Sequence, residues 1–218
     1  MRNHKSVLKE AETERTIEKS RFIGYICPIS MEDQAVAFIE KIKKKHWDAT
    51  HNVPVYVLGE NYHVQKYSDD GEPSGTAGVP ILEMLKKEGI TDVCIVITRY
   101  FGGIKLGTGG LVRAYTQSAK DALEAGVVVD KQVNSKISVA FDYHHHGKIQ
   151  NALLHDQNVI VDDSRFSDHI EMDLYVKPEK EQEICNQLIE LTSGSVKIEN
   201  KGECLLTLCK GVPVNSNE

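Results

Sequence analysis

The sequence predicts an α+β protein of two domains, on three observations: an uneven charge distribution, one long apolar run, and a β-α-β-β-α-β order of patterns in the last third. Residues 1–135 hold 18 Lys+Arg against 18 Asp+Glu, whereas residues 136–218 hold 8 against 14, so the whole formal charge of -6 falls in the C-terminal part. A chain of 218 residues accommodates one large domain or two small ones. The charge contrast favours two, over 1–133 and 136–210, with a short linker near Asp130–Ser135 and a frayed tail over 211–218. Hydrophobic residues at 40% and charged residues at 27% allow a core without metals or crosslinks.

The elements follow in order. Val7–Glu18 and Arg21–Pro28 alternate as strands and join at Lys19-Ser20 as a hairpin. After Ser30 as cap, Ala35, Phe38, Ile39 and Ile42 recur at helical spacing, and Lys41, Lys43, Lys44 and Lys45 suit the helix C-terminus as a solvated end. Asn52–Gly59 and Tyr62–Tyr67 read as strands around a Gly59-Glu60-Asn61 turn. A polar loop over 68–78 leads to a helix with Pro80 in its first turn, Ile81, Leu82 and Leu85 on its apolar face, and Gly89 at its end. Asp92–Thr98 is the apolar run, of strand length and suited to a central strand covered on both faces. A helix from about Leu111 to Ala125 places Leu111, Tyr115, Ala119 and Ala122 on one face and Arg113, Gln117 and Lys120 on another. The rest reads strand 136–142, helix 146–155, strand 159–163, strand 170–176, helix 179–191, strand 196–209, the order of a ferredoxin-like domain.

Composition excludes several function classes. No run reaches the roughly 18 apolar residues of a membrane span, and no apolar core follows the first residues, so a cytoplasmic protein without membrane contact is expected. Cys27, Cys94, Cys185, Cys204 and Cys209 form no C-x-x-C pair and read as reduced. The acidic C-terminal part argues against duplex DNA as partner.

The glycine-rich segment 102–110 is the most informative local feature. Glycine lets a backbone approach a ligand, and the helix that follows offers free N–H groups to an anion. Thr108 stands where a P-loop needs lysine, and Val112 where a dinucleotide fold needs its third glycine, so neither mechanism is expected. Arg99, Lys105 and Arg113 bracket the segment, with Tyr100 and Phe101 alongside, a combination suited to phosphates and unstacked bases. The bland alternatives are that the glycines only pack a helix on a strand and that Arg99 only pairs with Asp69, Asp70 or Glu72. Those carboxylates could instead hold Mg²⁺ or act as acid and base, although Asp-Gly and Glu-Pro are also turn chemistry. Consecutive His144, His145 and His146 do not naturally converge on one ion. No serine-nucleophile elbow or zinc-protease motif is present, so neither catalytic residues nor a cofactor are expected.

Asp69-Asp70-Gly71-Glu72-Pro73-Ser74-Gly75-Thr76-Ala77-Gly78-x-Pro80, then Thr98-Arg99-Tyr100-Phe101-Gly102-Gly103-x-Lys105-Leu106-Gly107-x-Gly109-Gly110-Leu111-x-Arg113-Ala114-Tyr115, closely resembles the signature of the IMPACT family. The resemblance implies an N-terminal domain like the second domain of ribosomal protein S5, a sheet with helices on one side. In the bacterial branch it also implies a C-terminal domain similar to the fifth domain of elongation factor G. It brings His51 into the candidate site; Val53 stands where the family often has cysteine, so no thiol role is carried over. Eukaryotic relatives restrain a starvation kinase through its activator, using an additional N-terminal domain that is not expected here.

The expected function is a translation-associated regulatory binding protein contacting RNA, the ribosome or a translation factor. Its candidate site is Arg99, Tyr100, Gly102, Gly103, Lys105, Gly107, Gly109, Gly110, Arg113, Asp69, Asp70, Glu72 and His51. The alternatives are a Mg²⁺-dependent enzyme or sensor for a small phosphorylated ligand, and a purely protein-binding regulator using the acidic C-terminal domain.

Overall fold

A computed structural model describes residues 1–214. It is an α+β structure with two sheets, divided into one compact unit of His4–Lys131 with residues from Thr207 on, and another of Met1–Asn3 with Gln132–Leu206.

In the first unit, β1 (His4–Val7) is followed by β2 (Ala11–Ile17) and β3 (Ser20–Pro28). The single strand expected over 7–18 is broken because the amides of Leu8 and Lys9 turn away to cap the carbonyl of Gly126, while β1 pairs with Val128–Lys131. The hairpin turns one residue earlier than expected, at Glu18 and Lys19, whose positive φ values of 44° and 63° match the strand twist. Helix α1 (Glu32–Lys45) buries Ala35, Phe38 and Ile42 as its spacing requires. Ser30 is not its side-chain cap; its amide and hydroxyl instead donate to Gln34 Oε1. Then come β4 (His51–Leu58), a 3-10 turn at Glu60–Tyr62, β5 (Val64–Tyr67), α2 (Gly78–Lys87), β6 (Val93–Tyr100) and α3 (Gly107–Gly126).

The sheet order β2-β3-β6-β4-β5 is antiparallel throughout and puts the apolar run at its centre. Val93, Ile95 and Ile97 face a core shared with α2 and α3. Cys94 and Val96 face a second core, shared with Phe38 and Ile42 of α1. The arrangement implied by the resemblance, helices on one side, is therefore corrected: α1 covers the other face, which is why β6 has no polar alternation before Thr98.

The second unit contains β7 (Val128–Phe141) from residue 132 on, α4 (His146–Leu154), β8 (Val159–Phe166), β9 (Ile170–Val176), α5 (Glu181–Leu191) and β10 (Lys197–Cys209) to residue 206. Its strand order, β10-β7-β9-β8, with α4 and α5 supplying the covering core residues Ile149, Leu153, Ile184 and Leu188, realises the ferredoxin-like order read from the pattern. Alternation is clean in β9, where Ile170, Met172, Leu174 and Val176 are buried and the residues between them are not. Two expectations change. Residues 130–135 belong to β7 rather than to a linker, because Asp130–Lys131 and Ser135 each have a strand partner. The expected tail contains β11 (Val212–Pro213), which folds back on Leu208 and Cys209 through left-handed Lys210 and Gly211; residues 215–218 of that tail lie outside the described residues.

Candidate functional site

Of the residues singled out by sequence, His51, Asp70, Glu72 and Arg99 come together at one end of the five-stranded sheet, where β4 begins and β6 ends. In the antiparallel register Arg99 lies opposite both His51 and Phe22. Arg99 shares the parity of Val93, Ile95 and Ile97, so its side chain enters the face covered by α2 and α3 instead of solvent. It is only 4% exposed. Its Nη1 donates to Glu72 Oε1 at 2.6 Å and its Nη2 to Ser20 Oγ at 3.2 Å, while Nε is buried without a hydrogen-bond partner. The guanidinium lies between the rings of Phe22 and Phe101, at 5.3 and 5.5 Å. Arg99 is thus corrected from a surface residue to the centre of a buried bracket, the pairing that sequence offered as its bland alternative.

Glu72 is the other half of that bracket. Its Oε1 also accepts the Tyr115 hydroxyl at 2.7 Å, so one carboxylate ties the 69–78 loop to β6 and α3. Burial, together with this neighbouring carboxylate, pushes the Tyr115 phenol well above its usual range. His51 donates Nδ1–H to the carbonyl of Asp70 at 2.8 Å, which turns Nε2 toward Glu72 Oε1 at 3.7 Å.

The two aspartates act on the backbone. Asp69 accepts the amides of Gly75, Ala77 and Gly78, the last two at the start of α2, where an anion is favoured. Asp70 accepts the amide of Asn52 at 2.6 Å and has Lys43 at 3.5 Å. Asp69, Asp70 and Glu72, which the alternative reading has holding Mg²⁺, are each committed to a different partner. The three histidines also have separate neighbours: the rings of His144 and His145 meet at 3.7 Å with a 46° tilt, and that of His146 meets Phe166 edge-on.

The glycines divide by role. A Cβ on Gly102 would stand 2.0 Å from the backbone carbonyl of Lys19, so this glycine seats the end of β6 against the β2–β3 turn, and its amide donates to Ser20 Oγ. Gly103 and Gly107 have positive φ, 84° and 67°. Gly109 and Gly110, expected in a loop, lie in the first turn of α3, which begins about one turn earlier than its apolar pattern suggests. That turn has no side-chain cap. Tyr100 points the other way, toward α1: it donates its hydroxyl to Asp48 and accepts from His46 Nδ1 at 2.9 Å.

What remains at the surface is the basic side of α3. A groove of about 830 Å³ runs between edge strand β2 and α3, lined by Ile17, Leu106, Arg113, Gln117 and Lys120 among others, with Glu18 the one carboxylate in its lining. Arg15, also on its wall, is held in a paired contact with Asp121 at 2.7 and 3.0 Å. Arg113 and Lys120 enter no ion pair among the described residues, and exposed Lys105 stands free in the approach to the helix. The helical spacing groups Arg113, Gln117 and Lys120 as one polar face, but the site expected from sequence includes only Arg113.

Residues 18–123 match the model of the Impact N-terminal domain, and residues 139–195 match a domain of unknown function (DUF1949). A protein of Bacillus subtilis, IMPACT family member YvyE, is 48% identical over 192 residues, 88% of each chain. The chain belongs to the IMPACT family. Another family member, YigZ of Escherichia coli, is 33% identical over 184 residues, covering 84% of this chain and 90% of YigZ. The Protein IMPACT of Rattus norvegicus is 31% identical over 97 residues, 42% of this chain and 30% of that protein. A crystal structure of a hypothetical protein, 30% identical, superimposes with a TM-score of 0.57 over 91% of this chain and 97% of that one. No helix among the described residues is long and apolar enough to cross a membrane.

Proposed function

We propose that this IMPACT family protein is a translation-associated regulatory binding protein of the cytoplasm that contacts ribosomal or other RNA through the basic groove between β2 and α3. The observation that carries the reading is a pair of cations without an ion pair among the described residues, Arg113 and Lys120, two helical turns apart on one exposed face of α3. Cations already neutralised by carboxylates release no counterions from a polyanion, whereas free ones do. Lys105 extends the positive track toward the glycine segment. The bracket of Arg99, Glu72 and Tyr115 lies beneath the site and ties α3, through Tyr115, to the 69–78 loop and to β6. The translation part of the reading rests on the resemblance of the N-terminal domain to one in a ribosomal protein; the RNA-facing part rests on the groove.

The test is co-sedimentation with ribosomes at two salt concentrations, comparing wild type with the double variant Arg113→Ala/Lys120→Ala. Wild type should pellet at low salt and be released at high salt. The variant should bind more weakly, with the slope of log affinity against log salt shallower by about 1 for each phosphate no longer neutralised. Wild type that stays in the supernatant at both concentrations sinks the proposal.

A further inference from the structure

On that reading, we infer that Trp47 and Phe101 form a stacking platform for unpaired nucleobases, so that the RNA recognised is single-stranded. Trp47 is the only tryptophan in the chain and is 83% exposed. A side chain with so much apolar area is normally covered, and one left bare on a rigid support marks a contact surface.

The support is rigid. Trp47 follows α1 directly, in a turn whose backbone is pinned on both sides. The carbonyl of His46 accepts the Ala49 amide and the Asn52 side-chain amide, both at 3.1 Å. Beneath the turn, the His46 ring is fixed between the hydroxyls of Tyr25 and Tyr100, at 2.6 and 2.9 Å.

The same turn is stitched to the segment carrying Phe101. Thr50 donates its amide to the Arg99 carbonyl at 2.9 Å, and its hydroxyl accepts the Phe101 amide at 3.0 Å. Phe101 is 46% exposed and rests on the buried Arg99 guanidinium. Two exposed aromatics are thus presented by neighbouring, hydrogen-bonded segments at the same end of the sheet.

Charge selects the occupant. Lys44 lies just before Trp47 and Lys105 just beyond Phe101, both exposed and free of ion pairs among the described residues. From Phe101 the chain runs through Lys105 into α3, whose Arg113 faces the groove. Aromatic faces interleaved with cations suit a single strand, with bases on the rings and phosphates on the lysines. A membrane or an apolar protein partner would favour a continuous apolar patch; here the turn after Trp47 carries exposed Asp48 and Thr50, which accept the Tyr100 hydroxyl and the Phe101 amide.

The full-length protein supplies its own reporter, since tryptophan emission excited selectively over tyrosine comes from Trp47 alone. A short dye-labelled oligouridylate is titrated in while anisotropy and Trp47 emission are followed, with an RNA duplex of the same length and anionic vesicles as comparisons. The expected result is quenching that saturates together with anisotropy, far less quenching by the duplex, and binding weakened roughly five- to a hundred-fold in Trp47→Ala. Trp47→Phe should retain most of the affinity. Anisotropy that rises without quenching, together with wild-type affinity in Trp47→Ala, overturns the platform and leaves the groove intact. Quenching by vesicles and not by RNA overturns it in favour of a lipid surface. An oligonucleotide that does not bind while ribosomes still pellet the protein also overturns it, whereas failure of both removes the groove as well.

Discussion

The two units solve the same problem, a sheet with a charged arginine to place, in opposite ways. In the N-terminal unit both faces of the sheet are covered, so Arg99 is buried and must take its counter-charge with it. In the C-terminal unit the uncovered sheet face carries Arg165 in solvent among Asp163, Glu171 and Asp173, at 2.8 to 3.3 Å. A buried charge that loses its partner is left in a medium that cannot solvate it, whereas an exposed one is received by water. The acidic residues near these two arginines look alike in sequence and do unlike work.

The buried side of this contrast is the costlier to disturb. Glu72→Ala removes the acceptor of both Arg99 and Tyr115 and should lower unfolding stability by about 3–5 kcal/mol in a urea titration followed by circular dichroism. Pairing it with Arg99→Met, which removes the stranded charge, should recover part of the loss; a double variant no better than the single would show that packing, not charge, sets the cost.

A smaller effect comes from His46. Burial holds its imidazole below the ordinary value, so the unfolded chain takes up a proton first as pH falls through about 6.5. Stability of the N-terminal unit should therefore decline below that pH, and the decline should flatten in His46→Gln. An identical pH profile in the variant would assign it elsewhere.

Least is expected of Arg165→Ala, which should leave the urea midpoint near that of wild type, and the more so in high salt. Arg165 holds the Asp173 carboxyl below its usual range, and His169, with Arg165 second, does the same for Glu171. Whatever those pairs contribute is present at neutral pH and is lost as pH falls through the depressed carboxyl values. A loss in Arg165→Ala as large as that in Glu72→Ala would erase the contrast between the units.

The same contrast decides what could be read from sequence. The alternation of β9 and the uninterrupted run of β6 each announce how many faces are covered, and both strands lie close to where their patterns place them. Parity at the end of β6 was the missed clue: counting by two from Ile95 and Ile97 sends Arg99 into the core, although its charge suggests solvent. The β7 strand and the Lys210–Gly211 hairpin depend on partners distant in sequence or on a two-residue turn, and local propensity sees neither. Lys120 was visible as a helical face but not as the wall of a groove, since β2 forms the other wall. Trp47 is absent from the sequence-derived site, since a lone tryptophan beyond Lys43–Lys45 and His46 reads equally as a core residue until its exposure is known.

The 69–78 loop has no strand or helix before α2, yet Asp69 collects three of its amides and Glu72 locks it to the sheet. Hydrogen exchange there should follow the breaking of the Asp69 and Glu72 contacts rather than exposure of the peptide. The amides of Gly75, Ala77 and Gly78 should trade protons for deuterium on the timescale of the central sheet. A protease that searches for slack chain should pass this stretch by, although a map of regular structure would mark it as the natural place to cut.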